Sequence, residues 1–258
     1  MAGQWTGLLR HWLWLLPTCA LAFVACVVKH NHIHCRTFRG RGWNAALGVA
    51  LSVLTGHPST AIITAHNVRH HRHNNSDVDW VRCSLVSFRW NWLNLIVFPF
   101  VSVARMWAEK PNDLAEWRRR RPTLYRQARA ERVVLYGLLF TLLLLDGQAT
   151  VRALVLPWLF GQWGIVTINL LQHQDCDPAS PYDHSRNVTG TVVNWFVLNN
   201  GFHTAHHLRP SLHWSRLPPF HDRVVAPRIT PGLTHRSLLV ATWMQFGVFT
   251  RPAAAERA

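Results

Sequence analysis

Three histidines lie close together in the stretch Asn199-Asn200-Gly201-Phe202-His203-Thr204-Ala205-His206-His207. On a helix, positions i, i+3 and i+4 fall within an arc of about 100°, so all three imidazoles can reach one side. Imidazole nitrogen binds Zn, Cu, Fe and Ni well. The spacing therefore predicts a metal site on this segment.

A second cluster comes earlier in the chain, where His66 and His70 are four residues apart and His71 follows directly. A helix places His66 and His70 on one face and rotates His71 by about 100° from His70. Adjacent histidines that diverge in this way can serve two metal ions, one each.

The third cluster contains His30 and His34, which can bind one centre from one helix face while His32 points away. The three clusters supply eight candidate ligands, too many for one tetrahedral ion, so two ions are the simpler interpretation. Carboxylate-bridged di-iron sites need Glu-x-x-His pairs, and no glutamate here has a histidine three residues later. A di-iron centre made by histidine alone remains, with a basic, imidazole-rich surface or a pH sensor as the alternative.

Long apolar stretches accompany the histidines. Only 15% of the residues are charged, 49% are hydrophobic, and the formal net charge is +15. This composition excludes an acidic disordered protein, and five unpatterned cysteines exclude a disulfide scaffold. It leaves a membrane protein with positive loops or a basic nucleic-acid binder.

The apolar stretches predict one all-α integral membrane domain over residues 1–258, since crossing a bilayer takes about 20 helical residues. They are predicted as spans at residues 12–28, 133–145 and 153–171, and as re-entrant or interfacial helices at residues 43–65 and 90–107. The last two contain Gly56-His57-Pro58 and Pro99, which disfavour clean spans. A disordered tail is expected at residues 252–258.

The basic residues predict the orientation. Lys29 and Arg36 follow the first span and only Arg10 precedes it, which favours an uncleaved anchor over a signal peptide cleaved after Ala20-Leu21-Ala22. All three histidine clusters must lie on one side of the membrane, and that side is predicted to be cytoplasmic. The run Arg118-Arg119-Arg120-Arg121 then lies on the same side, near anionic headgroups, and no nucleic-acid binding is expected.

The histidine pattern resembles the three histidine boxes of the membrane fatty acid desaturase and hydroxylase superfamily. The boxes are His30-x-x-x-His34, His66-x-x-x-His70-His71 and His203-x-x-His206-His207. The stretch from Asn199 to Pro210, followed by Leu212 to Pro218, is especially similar to the third-box region of that superfamily. The match runs from about residue 28 to residue 222, most of the chain.

This resemblance implies two iron ions (Fe2+/Fe3+) held by nine histidines, with O2 as co-substrate. The ninth is His173, at the end of the apolar run before the third box. The resemblance also implies that Asn169, four residues earlier, holds a metal-bound water. The plain alternative for Asn169 is a hydrogen bond that packs one helix on another.

The activity implied is the introduction of a double bond into the chain of an acyl-lipid, acyl-CoA or acyl-carrier substrate. A hydroxylase, or a carotenoid- or alkane-type oxygenase, would use the same site. A histidine-rich membrane metal transporter belongs to another class, and it would place ionisable residues inside the spans rather than at their ends. The chain has no haem-binding His-Pro-Gly-Gly motif, so a separate, ferredoxin-like electron donor is expected, and the basic face suggests acidic partners.

Carboxylates near the boxes are expected to orient the ligating imidazoles. The candidates are Asp77, Asp79, Asp175 and Asp183, each of which could equally cap a turn. His213 and His221 are expected to lie outside the ligand set.

Overall fold

Helices make up most of the chain, as predicted. The computed structural model describes residues 1–9, 11–109 and 113–247. The α-helices of six or more residues are α1 (Leu15–His34), α2 (Arg41–Thr55), α3 (Asn91–Ala108), α4 (Asp113–Arg120), α5 (Pro122–Leu145), α6 (Leu156–His173), α7 (Thr191–Phe196), α8 (His203–Leu208) and α9 (Leu238–Phe246). The tail predicted at residues 252–258 lies outside the described residues.

Short segments connect these helices. The π-helical segments are Ile63–His70, Val151–Val155 and His221–Val225. Shorter α- and 3-10-helical turns are Ala2–Trp5, Trp12–Trp14, His71–His73, Cys83–Leu85, Gly147–Thr150, Trp214–Arg216, Leu217–Phe220 and Pro231–Leu233. The strands β1 (Asn187–Val188) and β2 (Thr234–His235) pair in parallel, with Asn187 opposite Thr234.

Two helical stretches, Trp12–His34 and Gly147–His173, are long and apolar enough to cross a membrane. They contain the predicted spans at residues 12–28 and 153–171. Length and composition alone support this assignment, and the core helix of a soluble protein or a signal sequence has the same properties. The third predicted span, residues 133–145, is the last part of α5, whose first part is charged, and it stays a prediction.

The other two apolar stretches differ from each other. Helix α2 ends at Thr55 because Gly56 adopts the left-handed conformation that favours glycine, with φ at 67°. Residues 90–107 instead fall almost wholly in the continuous helix α3, which contains Pro99 without ending there. The re-entrant or interfacial placement of both stretches stays a prediction.

The described residues form two compact units, and the first comprises residues 1–64 and 111–165. Its apolar core is formed by Leu135, Ala153, Leu154 and Trp158. Gly161 lets α6 pack closely on α1, since a Cβ there would lie 2.9 Å from the carbonyl of Ala22. The buried carboxylate of Glu131 accepts hydrogen bonds from the amide and the hydroxyl of Thr60, at 2.8 Å each. These bonds offset the cost of burying Glu131.

The second unit comprises residues 65–110 and 166–258. One apolar core is formed by Val86, Phe98, Leu170, Leu171, Val188, Ala241 and Phe246. The other is formed by Phe202, Ala205, Leu217, Val225 and Ile229. Ala205 lies on α8 and is fully buried, so this second core holds the helix from which the third histidine cluster projects.

Candidate metal centre

The second histidine cluster lies on the π-helix Ile63–His70 and the turn that follows it. A π-helix has i→i+5 hydrogen bonds and so aligns residues five apart. Accordingly, Nε2 of His66 and Nε2 of His71 are 3.1 Å apart. The rings of His70 and His71 are 5.7 Å apart and inclined at 73°. The adjacent histidines diverge as predicted. The rings of His66 and His70 stack with centroids 5.3 Å apart, and the set of neighbouring ligand atoms that contains His66 includes His71 and not His70.

The third cluster lies on helix α8, and its three histidines divide between two sets of ligand atoms. The rings of His203 and His207, four residues apart, have centroids 4.6 Å apart. His206 turns away from His207, with centroids 5.9 Å apart and planes at 89°, and lies 4.7 Å from His71. The three rings lie within 5.9 Å of one another. Their ligand atoms nevertheless divide between two sets, since adjacent helical positions point about 100° apart.

Four imidazoles of the second unit form one group, which we call the buried group: His70, His173, His203 and His207. Their ligand atoms lie within 4.8 Å of one another. Nε2 of His173 and Nε2 of His203 are 2.8 Å apart. Neighbouring ligands with metal–nitrogen bonds of about 2.1 Å lie about 3 Å apart when the bonds are at right angles. The buried group thus has the donors and the spacing of a site for one transition-metal ion.

Three more imidazoles of the second unit, those of His66, His71 and His206, belong to another set of ligand atoms within 4.8 Å of one another. The ring of His71 also stacks on that of His207 at 4.3 Å, so the two sets adjoin. The second unit alone therefore brings seven of the nine predicted histidines together.

The first histidine cluster lies at the end of α1 in the first unit. The rings of His30 and His34 have centroids 5.0 Å apart, which places both on one face as predicted. His32 points elsewhere: its Nδ1 lies 3.0 Å from the hydroxyl of Thr37, and its Nε2 lies 3.2 Å from the carbonyl oxygen of Asn44.

The donor atoms suit a cation. Within the described part of the chain, Nε2 of His70 and Nε2 of His207 are buried without a hydrogen-bond partner. Burial and the neighbouring imidazoles of His71 and His203 lower the pKa of His207 well below its usual value. The ring is therefore neutral at pH 7 and keeps a lone pair. A buried polar atom without a partner is costly, and a bound metal ion would satisfy both nitrogens.

Further hydrogen bonds select the ring nitrogen that faces the buried group. The buried carboxylate of Asp79 lies 2.9 Å from Nδ1 of His70 and also accepts bonds from two backbone amides. The carbonyl of His184 accepts a bond from Nδ1 of His173 at 3.0 Å. In both histidines the bond holds Nδ1 and fixes the orientation of the ring, so that Nε2 faces the buried group. Asp79 is therefore an orienting carboxylate, as its place in the sequence suggested.

The other three candidate carboxylates have different contacts. Asp77 is fully exposed and lies 3.8 Å from Arg82. Asp183 accepts bonds from the amide and the hydroxyl of Thr230. Asp175 accepts a bond from Gln245 at 2.7 Å.

The remaining predicted residues lie outside the two histidine sets. Asn169 donates to the carbonyl of Val81 at 3.2 Å, in a turn rather than on another helix. Both its water-holding role and the helix-packing alternative stay predictions. His213 is exposed and its Nδ1 accepts from the amide of Ser215. His221 is buried, with its ring 5.2 Å from that of Phe202.

A buried hydrogen-bond network that the sequence did not reveal holds α8. The hydroxyl of Thr204 lies 2.8 Å from that of Ser185 and accepts a bond from Nδ2 of Asn187 at 2.9 Å. The amide of Thr204 donates to Oδ1 of Asn187 at 3.0 Å. These partners are 17 to 19 residues away, so no local pattern signals them.

The Asp79→Asn variant tests the orienting carboxylate. We expect its metal affinity to fall about 10- to 100-fold, because an amide holds the Nδ1–H of His70 less strongly than a carboxylate. Titration of the metal-free protein with Co2+ measures this. Asp77→Asn removes a charge two residues away at an exposed position and should bind like the wild type. Equal affinities for both variants would contradict the assignment.

These features define a helical protein with neighbouring sets of imidazoles able to hold metal ions. The chain belongs to the fatty acid desaturase family, whose sequence model (Fatty acid desaturase) matches residues 6–238. The matched range contains all nine predicted histidines, and the resemblance seen in the histidine boxes is confirmed. Comparisons with curated proteins and with solved structures give no significant match. Membership of this family supports an oxidoreductase of fatty acid metabolism.

Proposed function

We propose that the protein is a membrane-bound, O2-dependent di-iron oxidoreductase that introduces a double bond into a fatty-acyl chain. The observation that supports this most strongly is the convergence of histidines from separate segments into adjoining sets, in a chain of the fatty acid desaturase family. All nine predicted histidines take part in holding the two ions, His30 and His34 included, as the resemblance implies. Imidazole alone does not select iron, so the choice of metal rests on the family.

When bound, the two iron ions would activate O2, which is the oxidant. Each O2 takes two electrons from the donor, two protons from solvent and two hydrogen atoms from the substrate, and becomes two molecules of water. The substrate loses two hydrogen atoms from adjacent carbons, and the alkene results. The chain's own part is to hold neutral imidazoles in fixed orientations. Asp79 does this for His70, and the carbonyl of His184 does it for His173.

Exposed apolar side chains support contact with a bilayer. The last part of α5 exposes Phe140, Leu144 and Leu145, each by more than 60%. In the second unit, α9 exposes Leu239 and Trp243 by more than 70%. Large exposed apolar surfaces mark protein or membrane contacts. We propose a multi-pass membrane protein, with its metal centre on the cytoplasmic side as the basic residues suggest.

Exposed arginines support acidic partners. The stretch that follows α8 exposes Arg209, Arg216, Arg223, Arg228 and Arg236. Positive surfaces speed the encounter with negatively charged partners. We propose a separate ferredoxin-like donor, and a substrate carried on lipid, CoA or an acidic carrier protein.

Lipid analysis of a host that expresses the chain with a matching reductase tests the proposal. We expect fatty-acyl chains with a new double bond in cells with the wild type and none with His206→Ala. Hydroxylated or ketonic products would instead support the hydroxylase or the oxygenase alternative. No lipid change, together with one exchangeable zinc ion per purified chain, would favour the transporter instead.

A further inference from the structure

His184 is a histidine outside the three boxes that lies beside the buried group. The residue is 7% exposed, and the centroid of its ring lies 5.4 Å from that of His207. Within the buried group, His207 lies 4.6 to 4.9 Å from the other three rings. The imidazole of His184 is therefore 0.5 to 0.8 Å farther from His207 than the members of the group, and it lies outside the set whose ligand atoms are within 4.8 Å of one another.

The hydrogen bond of Nδ1 decides what the other ring nitrogen offers. Nδ1 of His184 lies 3.2 Å from the carbonyl oxygen of Ser180. A carbonyl only accepts, so Nδ1 has the proton and Nε2 has a lone pair. The Nε2 atom is thus a potential metal ligand.

Nothing in the described protein occupies that lone pair. Nε2 of His184 is buried and has no hydrogen-bond partner among the described residues. An unsatisfied acceptor is costly in a buried place, and here its ring lies 5.4 Å from that of His207, a member of the buried group.

We propose that His184 is a further metal-binding residue, whose Nε2 serves the ion of the buried group as a fifth imidazole. The inference rests on the proposed function, because it requires this group to bind a metal. His184 then contributes to the site twice. Its main-chain carbonyl orients His173, and its side chain supplies a ligand.

Metal titration of the purified full-length chain in detergent tests the inference, with Co2+ as the probe because its visible spectrum reports the ligands. His184→Asn keeps an amide near the position of Nδ1, able to bond to Ser180, and removes Nε2. We expect this variant to bind two ions, one of them about 10- to 100-fold more weakly than in the wild type and with an altered spectrum. His184→Gln places an amide near the position of Nε2, so we expect it to recover part of the affinity but with a different spectrum.

His213→Asn is the matched control, since His213 is exposed in the same unit and should bind cobalt as the wild type does. Equal affinity and spectrum for the wild type and His184→Asn would overturn the inference and leave the proposed function standing. If His184→Asn does not fold, an unchanged spectrum in His184→Gln overturns it equally. A wild type that binds no cobalt and no iron would instead refute the proposed function.

Discussion

Replacing His207 with alanine is expected to remove one of the two metal ions and to abolish product formation. His207 contacts every other member of the buried group, with ring centroids 4.6 to 4.9 Å away. It also stacks on His71, which belongs to the adjoining set. Its loss leaves three members of the buried group and opens the site on the side that joins the two sets. Iron per purified chain should fall from two to one, and desaturated lipid should become undetectable.

His213→Ala is the control for this experiment. It also removes an imidazole from the second unit, but His213 is exposed and bonded to the neighbouring Ser215. We expect unchanged iron content and unchanged product. Normal iron content in His207→Ala would show that the buried group does not hold a metal ion.

Gly201→Ala is expected to lower the free energy of unfolding by about 2–3 kcal/mol, near the upper end of what overpacking costs. A Cβ at this position would press against the carbonyl oxygen of Val188 and lie 2.6 Å from Oδ1 of Asn194. The backbone cannot retreat easily, because the amide of Gly201 donates to Asn194 at 3.1 Å and its carbonyl accepts from Val188 at 2.8 Å. Thermal unfolding of the metal-free protein measures the loss.

The same substitution should weaken metal binding, because Gly201 lies two residues before His203 and any shift moves the start of α8. Gly232→Ala is the matched control in the same unit: a Cβ there would meet no atom within 4 Å. We expect a melting temperature close to that of the wild type for this control. A stable Gly201→Ala with full cobalt affinity would show that the contact with Val188 does not position the third histidine cluster.

The spacing of the histidines predicted part of the site because helical periodicity is a local property. Four-residue spacing put His30 with His34 and His203 with His207. At the second cluster the spacing did not assign the sets, because His66 stacks on His70 at 5.3 Å but shares its set of ligand atoms with His71. A π-helix of eight residues has no signature in its sequence, so spacing alone could not predict that division.

Partners distant in sequence could be predicted only as candidates. Asp79 was one of four aspartates that the sequence offered equally as orienting carboxylates. Only the fold brings its carboxylate to His70. The network of Thr204, Ser185 and Asn187 had no signal, because its members lie on a short helix, on an irregular loop and on the two-residue strand β1. No sequence pattern singled out His184 either, because its contact with His207 joins an irregular loop to a short helix.

The sequence by itself determined the helical class, the kind of ligand and the family, because these follow from composition and from spacing within single helices. Only the tertiary structure decided how His70 and His71, and likewise His206 and His207, divide between two neighbouring sets, and which groups orient them. That division depends on the phase of each helix and on its packing against others, where buried side chains must satisfy their hydrogen bonds with residues far along the chain.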